Sequence, residues 1–484
     1  MRLKRLFIGT LLLIFLASLY SYKLLEVPTG LTSDEAAFGY NAVLIANTAR
    51  DENGRLLPIF IRHSGTTDYH QPVTQYFIVF LFKIFGPSVF LLRFSSVLVA
   101  LASVVLLYLL AEKVLDDGGR LVAILALIIA PQMMLQAHMG QENIMPVPFT
   151  ILWLLSFWHY RHQRRIRWLI VAALALGLSF YTYKGMHAIT PIWLILSLGW
   201  LILDYLKQRT KARDLFIFSA SIAPFFLAIP LLERLYPGAI FGGATVSFNN
   251  IYEFLQPYLS SFDLSYLFIR GDIVEIHSTG RHGMVLLATL PLVLTGIYQA
   301  LKSKDQFFKF ILLALTLGPI LYGLVGSSHR FSRLMALIPL FALFAGLGWQ
   351  RLINISGRWV KFTALAILIS LTLNYLDFIK FYWQTYPPLT FSLLGDMQNY
   401  RDMERFAKLA KEKNLQPLIH QQIAQGGGVS IKFFQEVYFS RLLPVIPDGE
   451  AGSPGTILLT QRQVVPKMKE IPGKVIDYHV QVIE

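Results

Sequence analysis

Residues 6–25 read LFIGTLLLIFLASLYSYKLL, an apolar block whose only charged residue is Lys23. A helix of about 20 apolar residues crosses a bilayer, and ten further blocks along the chain approach that length. Across all 484 residues, 55% of the side chains are hydrophobic and only 15% are charged, whereas about 25% is usual for a soluble domain. The sequence therefore predicts a polytopic membrane protein and excludes a soluble enzyme of two or three domains.

The formal net charge of +14 would otherwise suggest a nucleic-acid partner. Nucleic-acid-binding proteins gather their basic residues on one folded face, but here Lys and Arg occupy short loops between apolar blocks, so we expect no nucleic-acid partner. The absence of cysteine excludes disulfides, thiolate metal ligands and a cysteine nucleophile. The N-terminal block resembles a signal peptide but lacks a small-residue cleavage site, which predicts an uncleaved first span.

The apolar blocks and the loop charges together predict the topology. With the N-terminus in the cytoplasm, every second loop is basic, as the positive-inside rule requires. Block 72–85 is too short to span and is expected to be an interfacial or re-entrant helix. We expect a multi-pass protein of the cytoplasmic membrane with eleven transmembrane helices, near 6–25, 88–112, 120–138, 146–160, 166–183, 188–206, 214–232, 283–301, 307–326, 331–350 and 359–379.

The predicted fold class is therefore an all-α polytopic membrane protein with a small C-terminal addition. Residues 1–379 form the transmembrane domain, with a long first extracytoplasmic loop at 26–87. Residues 380–484 are expected to form a small extracytoplasmic α/β domain. Its pattern predicts a helix at 397–413 and strands at 455–460 and 474–483.

Acidic residues at the outer helix ends are candidates for catalysis. Ser33 can cap a helix that begins at Asp34, with Asp34 and Glu35 favourable in its first turn. Equally, a carboxylate just beyond the first span is placed to act as general base on an acceptor hydroxyl. Asp68 is a second such acid or a solvated loop residue. Glu142 lies between two apolar blocks, where an acid is costly and usually faces a cavity or a partner.

Cations and aromatic residues at the same outer ends are candidates for substrate binding. Lys184 ends one apolar block; it either extends to the interface to reach water or binds an anion. Cations at outer ends oppose the positive-inside bias, and their convergence with the acids suits an anionic lipid head group. The further candidates are Tyr40, His70, His187, Arg281, His282, His329, Arg330 and Arg333.

Five motifs, taken in order, resemble those of a known family. At these residues the chain is similar to the GT-C glycosyltransferases, in the family 39-like branch of the protein O-mannosyltransferases and the lipid A aminoarabinose transferase. The resemblance covers roughly residues 5–350. The motifs are Asp34-Glu35 with Gly39-Tyr40, Asp68-Tyr69-His70-Gln71-Pro72, Gly140-Gln141-Glu142-Asn143, Tyr183-Lys184-Gly185 and Arg333 through Pro339.

The resemblance implies a membrane enzyme that takes a sugar from a polyprenyl-phosphate carrier on the outer face and inverts the anomeric centre. By the same resemblance, Asp34 matches the catalytic carboxylate, with Glu35 as its companion. Lys184 matches a cation at the cavity, and Arg333 matches the Arg that opens a late span. Glu142 or Asn143 falls where relatives carry an acid. The acceptor implied is a protein, a lipid or a glycan.

The chain departs from relatives at two places: His70-Gln71 stands where they often carry Lys or Glu, and His187 where some carry Arg. Inversion in a single step needs a base opposite the leaving group, for which Asp34 is the candidate. A lipid phosphate leaves as an anion, so compensating its charge matters more than protonating it.

Two questions remain open at this point. Mg²⁺ or Mn²⁺ could bridge phosphate and carboxylates at Asp34, Asp68 and Glu142, although we expect no required metal. A structural membrane subunit without chemistry is one alternative, and the main competing function is a flippase or transporter of lipid-linked sugars. Such proteins carry ionisable residues near the bilayer midplane, often on broken helices arranged as repeats. Here the unusual charges lie at outer helix ends and no repeat of fixed period occurs.

Overall fold

The structure is a computed structural model of the 484-residue chain. It describes residues 2–62, 68–242, 250–326, 329–355, 357–394, 400–426, 428–448, 450–460, 469–471 and 479–482. Helices dominate up to residue 394, and strands cluster in the segment beyond it.

The helices follow the apolar blocks closely. The first half of the chain contains α1 (Arg2–Ser21), α2 (Ser33–Thr48), α3 (Pro72–Phe85), α4 (Val89–Val114), α5 (Asp117–Ile128), α6 (Pro131–Ala137), α7 (Pro146–Gln163), α8 (Ile166–Phe180), α9 (Met186–Leu206), α10 (Ala212–Leu227) and α11 (Ile229–Leu235). The second half contains α12 (Ile251–Ser260), α13 (Leu290–Lys302), α14 (Gln306–Leu317), α15 (Tyr322–Val325), α16 (Phe331–Leu334), α17 (Ile338–Ile353), α18 (Arg358–Gln384), α19 (Tyr386–Leu394), α20 (Tyr400–Glu412), α21 (Gln421–Gly426) and α22 (Gly428–Phe439).

Each of the eleven predicted blocks contains helix, but the number eleven is not confirmed. Among the described residues, six helical segments are long and apolar enough to cross a membrane: Val89–Val114, Met186–Leu206, Ala212–Leu235, Gln306–Val325, Ser332–Ile353 and Trp359–Gln384. Helices α5 and α6, bent by 50° relative to each other, raise the number to seven if they form one broken span. Gly9–Ser21, Ile166–Phe180 and Leu287–Lys302 are apolar but shorter. Helix α3 is also short, as predicted, and its interfacial position stays a prediction.

Glycine allows the central helices to pack at close range. A Cβ atom at Gly296 of α13 would lie 1.9 Å from the carbonyl oxygen of Phe344 in α17, and one at Gly348 would lie 1.9 Å from that of Leu292. Small residues are common where helices in membranes approach each other closely. This core fixes the ends of the helices, where the loops with the candidate residues begin.

The segment after residue 394 combines helices with a five-stranded sheet. The strands β3 (Gln416–His420), β4 (Val445–Ile446), β5 (Thr456–Thr460), β6 (Lys469–Ile471) and β7 (His479–Val482) are ordered β4-β3-β5-β7-β6. Strand β3 is parallel to β4 and β5, and β7 is antiparallel to β5 and β6. A separate two-stranded ladder in the first loop pairs β1 (Ile61–Arg62) with β2 (Tyr69–His70).

The predicted elements of this segment can be compared with those observed. Helix α20 lies within the predicted helix 397–413, and β5 lies within the predicted strand 455–460. Strand β7 covers the end of the predicted strand 474–483, of which 474–478 lie outside the described residues. The boundary predicted after residue 379 falls inside α18. The division into two domains and the extracytoplasmic position of the second stay predictions.

Candidate functional site

The first turn of α2 is fixed by a capping box. Thr32 Oγ1 accepts a hydrogen bond from the Glu35 N–H at 3.0 Å, and the Thr32 N–H donates to Glu35 Oε2 at 3.0 Å. This reciprocal pair satisfies two backbone donors at the helix start. The prediction of Ser33 as the N-cap was wrong by one residue, because Glu35 at the third helical position completes the box with Thr32.

Glu35 is fully buried and is held by groups from other parts of the chain. Its Oε1 accepts from Arg93 Nε at 3.0 Å and from the Gly140 N–H at 2.9 Å. Arg93, also fully buried, donates to the carbonyl oxygens of Leu24 and Pro28 at 2.9 and 3.2 Å. These bonds join the start of α2 to α4 and to the turn before α7. They favour a structural role for Glu35, whose role as a catalytic companion stays a prediction.

The neighbouring Asp34 is exposed and shares an electrostatic environment with Glu142. Burial, the largest cause, and the charge of Asp34 raise the pKa of Glu142 to about 8, against the opposing effects of the hydrogen bond from the Gln71 N–H and of the Lys184 charge. Glu142 Oε2 accepts a hydrogen bond from the Gln71 N–H at 3.0 Å. Because charge interactions weaken with distance, Asp34 and Lys184 lie near one carboxyl group. The structure thus brings these candidates together.

Lys184 lies on a turn that contacts the start of α3. Its Nζ is 2.9 Å from Asp68 Oδ1. The Val73 N–H donates to the carbonyl oxygen of Tyr181 at 3.2 Å, and Thr74 Oγ1 donates to that of Thr182 at 3.0 Å. Lys184 and Asp68 thus form an ion pair between two loops, in which the Asp68 side chain is 75% exposed. A role of either residue in catalysis or binding stays a prediction.

A chain of side-chain hydrogen bonds extends from the cap of α2 across the same end of the bundle. Gln141 Nε2 donates to Thr32 Oγ1 at 2.6 Å, and Asn143 Nδ2 lies 3.1 Å from both Gln141 Oε1 and Gln136 Oε1. Gln136 Nε2 then lies 3.2 Å from His277 Nδ1. Burial lowers the pKa of His277 to about 4, with the charge of the nearby Arg330 as the second cause, so a neutral His277 accepts from Gln136.

Arg333 lies close to the turn that carries Lys184. Tyr322 Oη lies 2.7 Å from the carbonyl oxygen of Arg333 and 3.1 Å from that of Gly185, so its single O–H is shared between two acceptors. Burial raises the pKa of Tyr183, and the positive charge of Arg333 opposes that rise. A small pocket in this region is lined by Ser260, Ser261, Tyr266, Tyr322, His329, Arg330, Arg333 and Leu334. The two arginines and the hydroxyl groups favour negative charge around this pocket, and the pocket itself has room for about one water molecule.

The His329 side chain is held in position by an acidic residue in this region. Its Nε2 lies 3.0 Å from Asp263 Oδ2. Although partial burial acts in the opposite direction, the hydrogen bonds from His329 and from two backbone N–H groups lower the pKa of Asp263. The pair fixes the loop that leads to Arg330 and Arg333.

Other predicted binding residues have contacts elsewhere. Arg281 makes two bonds to Asp377 of α18, at 3.1 and 2.8 Å, and His282 Nε2 lies 3.1 Å from the same carboxylate. These three side chains tie the loop before α13 to α18. Arg281 and His282 thus belong to a contact separate from the hydrogen bonds around Glu142, and their role in binding stays a prediction.

Three further candidates pack against aromatic rings or the C-terminal segment. The His70 ring stacks on Phe38 with centroids 3.9 Å apart. The His187 ring stacks on Phe180 at 4.4 Å. Tyr40 faces α22, where Lys432 Nζ lies 6.0 Å from the ring centroid. Substrate binding by these residues stays a prediction.

The sequence interpretation missed the structural importance of Arg93 and the amide chain of Gln136, Gln141 and Asn143. A lone arginine in the apolar block 88–112 was an available signal, because ionisable residues within a span usually have a buried partner. The amides gave no comparable signal. Within the described residues, no group of three or more His, Cys, Asp or Glu side chains could hold a metal ion.

Comparison with known sequences supports the interpretation of this face. The family described as dolichyl-phosphate-mannose-protein mannosyltransferase matches residues 69–232. A 165-residue stretch is 31% identical to the undecaprenyl phosphate-alpha-4-amino-4-deoxy-L-arabinose arabinosyl transferase of Pseudomonas aeruginosa strain LESB58. The match to the same enzyme of strain UCBPP-PA14 is 30% identical. The match to the LESB58 enzyme covers 32% of this chain and 28% of that enzyme, so the chain matches less than a third of the enzyme's length.

Comparison with solved structures extends over almost the whole chain. ArnT from Cupriavidus metallidurans in the apo state matches with a TM-score of 0.56 and 12% identity, covering 98% of this chain and 97% of ArnT. The structure of ArnT bound to undecaprenyl phosphate matches with a TM-score of 0.55 and 13% identity over the same shares. The chain shares the ArnT fold, and the resemblance to the GT-C proteins predicted from the sequence is confirmed.

Proposed function

We propose that this chain is an integral-membrane glycosyltransferase that transfers a sugar from a polyprenyl-phosphate-linked donor to an acceptor on the extracytoplasmic face, with inversion. The observation that carries the proposal is the gathering of Asp34, Glu142 and Lys184 from three separate parts of the chain, namely the first turn of α2, the turn before α7 and the turn before α9. Acids and a cation at one end of a helical bundle suit a reaction between an acceptor hydroxyl and a lipid phosphate.

The relatives support the same substrate class. The Pseudomonas proteins are named as transferases that use undecaprenyl phosphate-linked aminoarabinose, and ArnT has been solved with undecaprenyl phosphate. The family that matches residues 69–232 is named for dolichyl-phosphate mannose. These names share a polyprenyl-phosphate sugar donor and differ in the sugar. We therefore propose the class of lipid carrier and do not assign the sugar.

In the proposed mechanism, Asp34 acts as general base. It accepts the proton of the acceptor hydroxyl while that oxygen forms a bond to the anomeric carbon. The bond from this carbon to the phosphate oxygen breaks on the opposite face, and the lipid phosphate leaves with the electron pair. Lys184 and Arg333 compensate the charge of the phosphate, which is worth more than protonating a group that is already stable as an anion.

In this mechanism, the protonation state of the Glu142 carboxyl group determines the charge of the site. With a pKa of about 8, its carboxyl group is mostly protonated at neutral pH. A neutral Glu142 does not repel the donor phosphate, and it leaves the negative charge on Asp34. Separated protonation states of two nearby carboxyls are typical of sites that need both an acid and a base.

The proposal includes the orientation and the metal requirement predicted from the sequence. The N-terminus lies in the cytoplasm, and the site and the C-terminal segment lie outside, because this arrangement keeps the basic loops inside.

No divalent metal is required, since cations of the chain itself are available to the phosphate. Unchanged transfer in the presence of EDTA would support this point, and loss of activity that Mg²⁺ or Mn²⁺ restores would contradict it.

The test is transfer of labelled sugar from polyprenyl-phosphate donors by the purified protein in proteoliposomes. Asp34→Asn should abolish transfer while the protein still inserts normally, because an amide cannot accept the proton. Asp117→Asn is the matched control, since Asp117 is also in the first turn of a helix and its side chain is 94% exposed. Near-normal transfer by Asp34→Asn would remove Asp34 from its role. Transport of the lipid-linked sugar without covalent transfer would favour a flippase.

A further inference from the structure

Gln71 is a buried residue at the candidate site whose side chain the proposed mechanism does not use. It is the N-cap residue of α3, and its side chain makes no capping hydrogen bond. Its backbone N–H donates to Glu142 Oε2 at 3.0 Å, which places it beside the carboxyl influenced by Asp34 and Lys184. Helix capping therefore does not explain a glutamine at this position.

The amide group of Gln71 is fully buried, and within the described part of the chain neither Nε2 nor Oε1 has a hydrogen-bond partner. One helical turn later, Gln75 is equally buried. Its Nε2 donates to the carbonyl oxygen of Phe38 at 3.0 Å, whereas its Oε1 also finds no partner among the described residues. Gln71 precedes the first helical residue of α3, and Gln75 lies in the first turns of the same helix. Because the great majority of buried polar groups are hydrogen-bonded, two such residues at the start of one helix indicate a missing polar ligand.

We propose that the side-chain amide of Gln71 binds a hydroxyl group of the carbohydrate substrate, with Gln75 Oε1 as a second acceptor at the start of the same helix. This inference rests on the proposed glycosyltransferase function. A hydroxyl group both donates and accepts hydrogen bonds, and a primary amide complements both. The phosphate of the donor is matched instead by the cations Lys184 and Arg333. Gln71 is thus a specificity residue for the sugar chemistry rather than a phosphate ligand.

The hydroxyl belongs to the transferred sugar or to the acceptor, and steady-state kinetics separate the two. Gln71→Met keeps the length of the side chain and removes its polar atoms. We expect kcat/KM for transfer to fall at least about tenfold, because a site that hydrogen-bonds a substrate hydroxyl discriminates strongly when that bond is lost. A rise in KM for the donor alone assigns the hydroxyl to the sugar, and a rise for the acceptor alone assigns it to the acceptor.

Binding of sugar-free undecaprenyl phosphate gives a second measurement. Its Kd should change less than twofold in Gln71→Met, because the phosphate is held by cations. A larger loss of binding to this probe would make Gln71 a phosphate ligand and overturn the inference.

Thermal unfolding of the full-length protein in detergent separates this role from a structural one. The matched control is Gln435→Met, because Gln435 is also buried and its Oε1 accepts from the Leu443 N–H at 2.6 Å. We expect a lower Tm for Gln435→Met and an unchanged or higher Tm for Gln71→Met, since only the former loses a protein hydrogen bond. A comparable fall in Tm for Gln71→Met, or unchanged kcat/KM, would overturn the inference. Absence of transfer by the wild-type protein would contradict the proposed function itself.

Discussion

The ion pair of Glu35 and Arg93 shows how two adjacent acids acquire different tasks. Glu35 is enclosed by Arg93 and by backbone donors, whereas Asp34, one residue earlier, is exposed. A helix turns by about 100° per residue, so adjacent side chains point to different surroundings. One acid therefore anchors α2, and the other is exposed.

Loss of Arg93 should destabilise the protein strongly. Arg93→Met leaves the Glu35 carboxylate buried without its cation, and we expect the free energy of unfolding to fall by about 3–5 kcal/mol. The control is Arg120→Met, because the Arg120–Asp117 pair is largely exposed and should contribute about 0–1 kcal/mol. Thermal or denaturant unfolding in detergent measures both. Equal, small effects of the two variants would contradict the anchoring role.

The raised pKa of Glu142 predicts a pH dependence of donor binding. Below pH 8 the carboxyl is mostly protonated; as the pH rises through about 8 it ionises and repels the donor phosphate. KM for the donor should therefore increase between pH 7 and pH 9. Glu142→Gln keeps the group neutral at every pH, so its donor KM should stay nearly constant over this range. A wild-type KM that does not change, or the same increase in the variant, would exclude Glu142 as the titrating group.

Among the elements, α2 is held between the bundle and the C-terminal segment. Phe433 of α22 packs directly on Gly39, and its ring stacks on Phe82 of α3 with centroids 6.5 Å apart. One hydrophobic cluster includes buried residues of α2, α3, α20 and α22. The C-terminal segment therefore supports the helix that carries Asp34.

A side chain at Gly39 should disturb this support. The Cβ atom of Gly39→Ala would lie 2.6 Å from two ring carbons of Phe433, and overpacking of this kind costs about 1–3 kcal/mol. We expect a lower Tm and slower transfer, and partial recovery in the double variant Gly39→Ala/Phe433→Leu.

Gly199→Ala is the control for this pair, because nothing lies within 4 Å of a Cβ atom at Gly199 and alanine is the better helix former. Additive losses in the double variant would show that the two positions do not interact.

At the scale of elements, the sequence predicted features that depend on neighbouring residues and missed contacts between distant parts of the chain. Apolar blocks predicted the helices because burial in lipid needs a long apolar run, and the capping residues near α2 were found within one position. The contact of Gly39 with Phe433 joins positions almost 400 residues apart. The local sequence pattern gives no information about a contact between residues so far apart. Likewise, the gathering of Asp34 and Lys184 came from the resemblance and the topology, whereas the amide chain through Asn143 needed coordinates.

For the whole molecule, the distribution of charge between the two ends of the bundle is the main physical constraint. At one end, Arg161 and Arg164 lie 4.0 and 3.6 Å from the buried carboxylate of Asp204, at helix ends that the positive-inside rule assigns to the cytoplasm. At the other end, acids and cations are mixed around Glu142. A basic end favours the cytoplasm, and the mixed end is then accessible to a donor presented in the outer leaflet.

This orientation can be tested with single cysteines, because the chain contains none. Leu56→Cys marks the predicted first outer loop, and Asp117→Cys marks a predicted cytoplasmic loop; both side chains are exposed. A membrane-impermeant thiol reagent should label Leu56→Cys in cells with an intact cytoplasmic membrane, and Asp117→Cys only after that membrane is permeabilised. Both variants must retain transfer activity. The opposite labelling would place Asp34 and Lys184 in the cytoplasm and would require a donor presented on the inner leaflet.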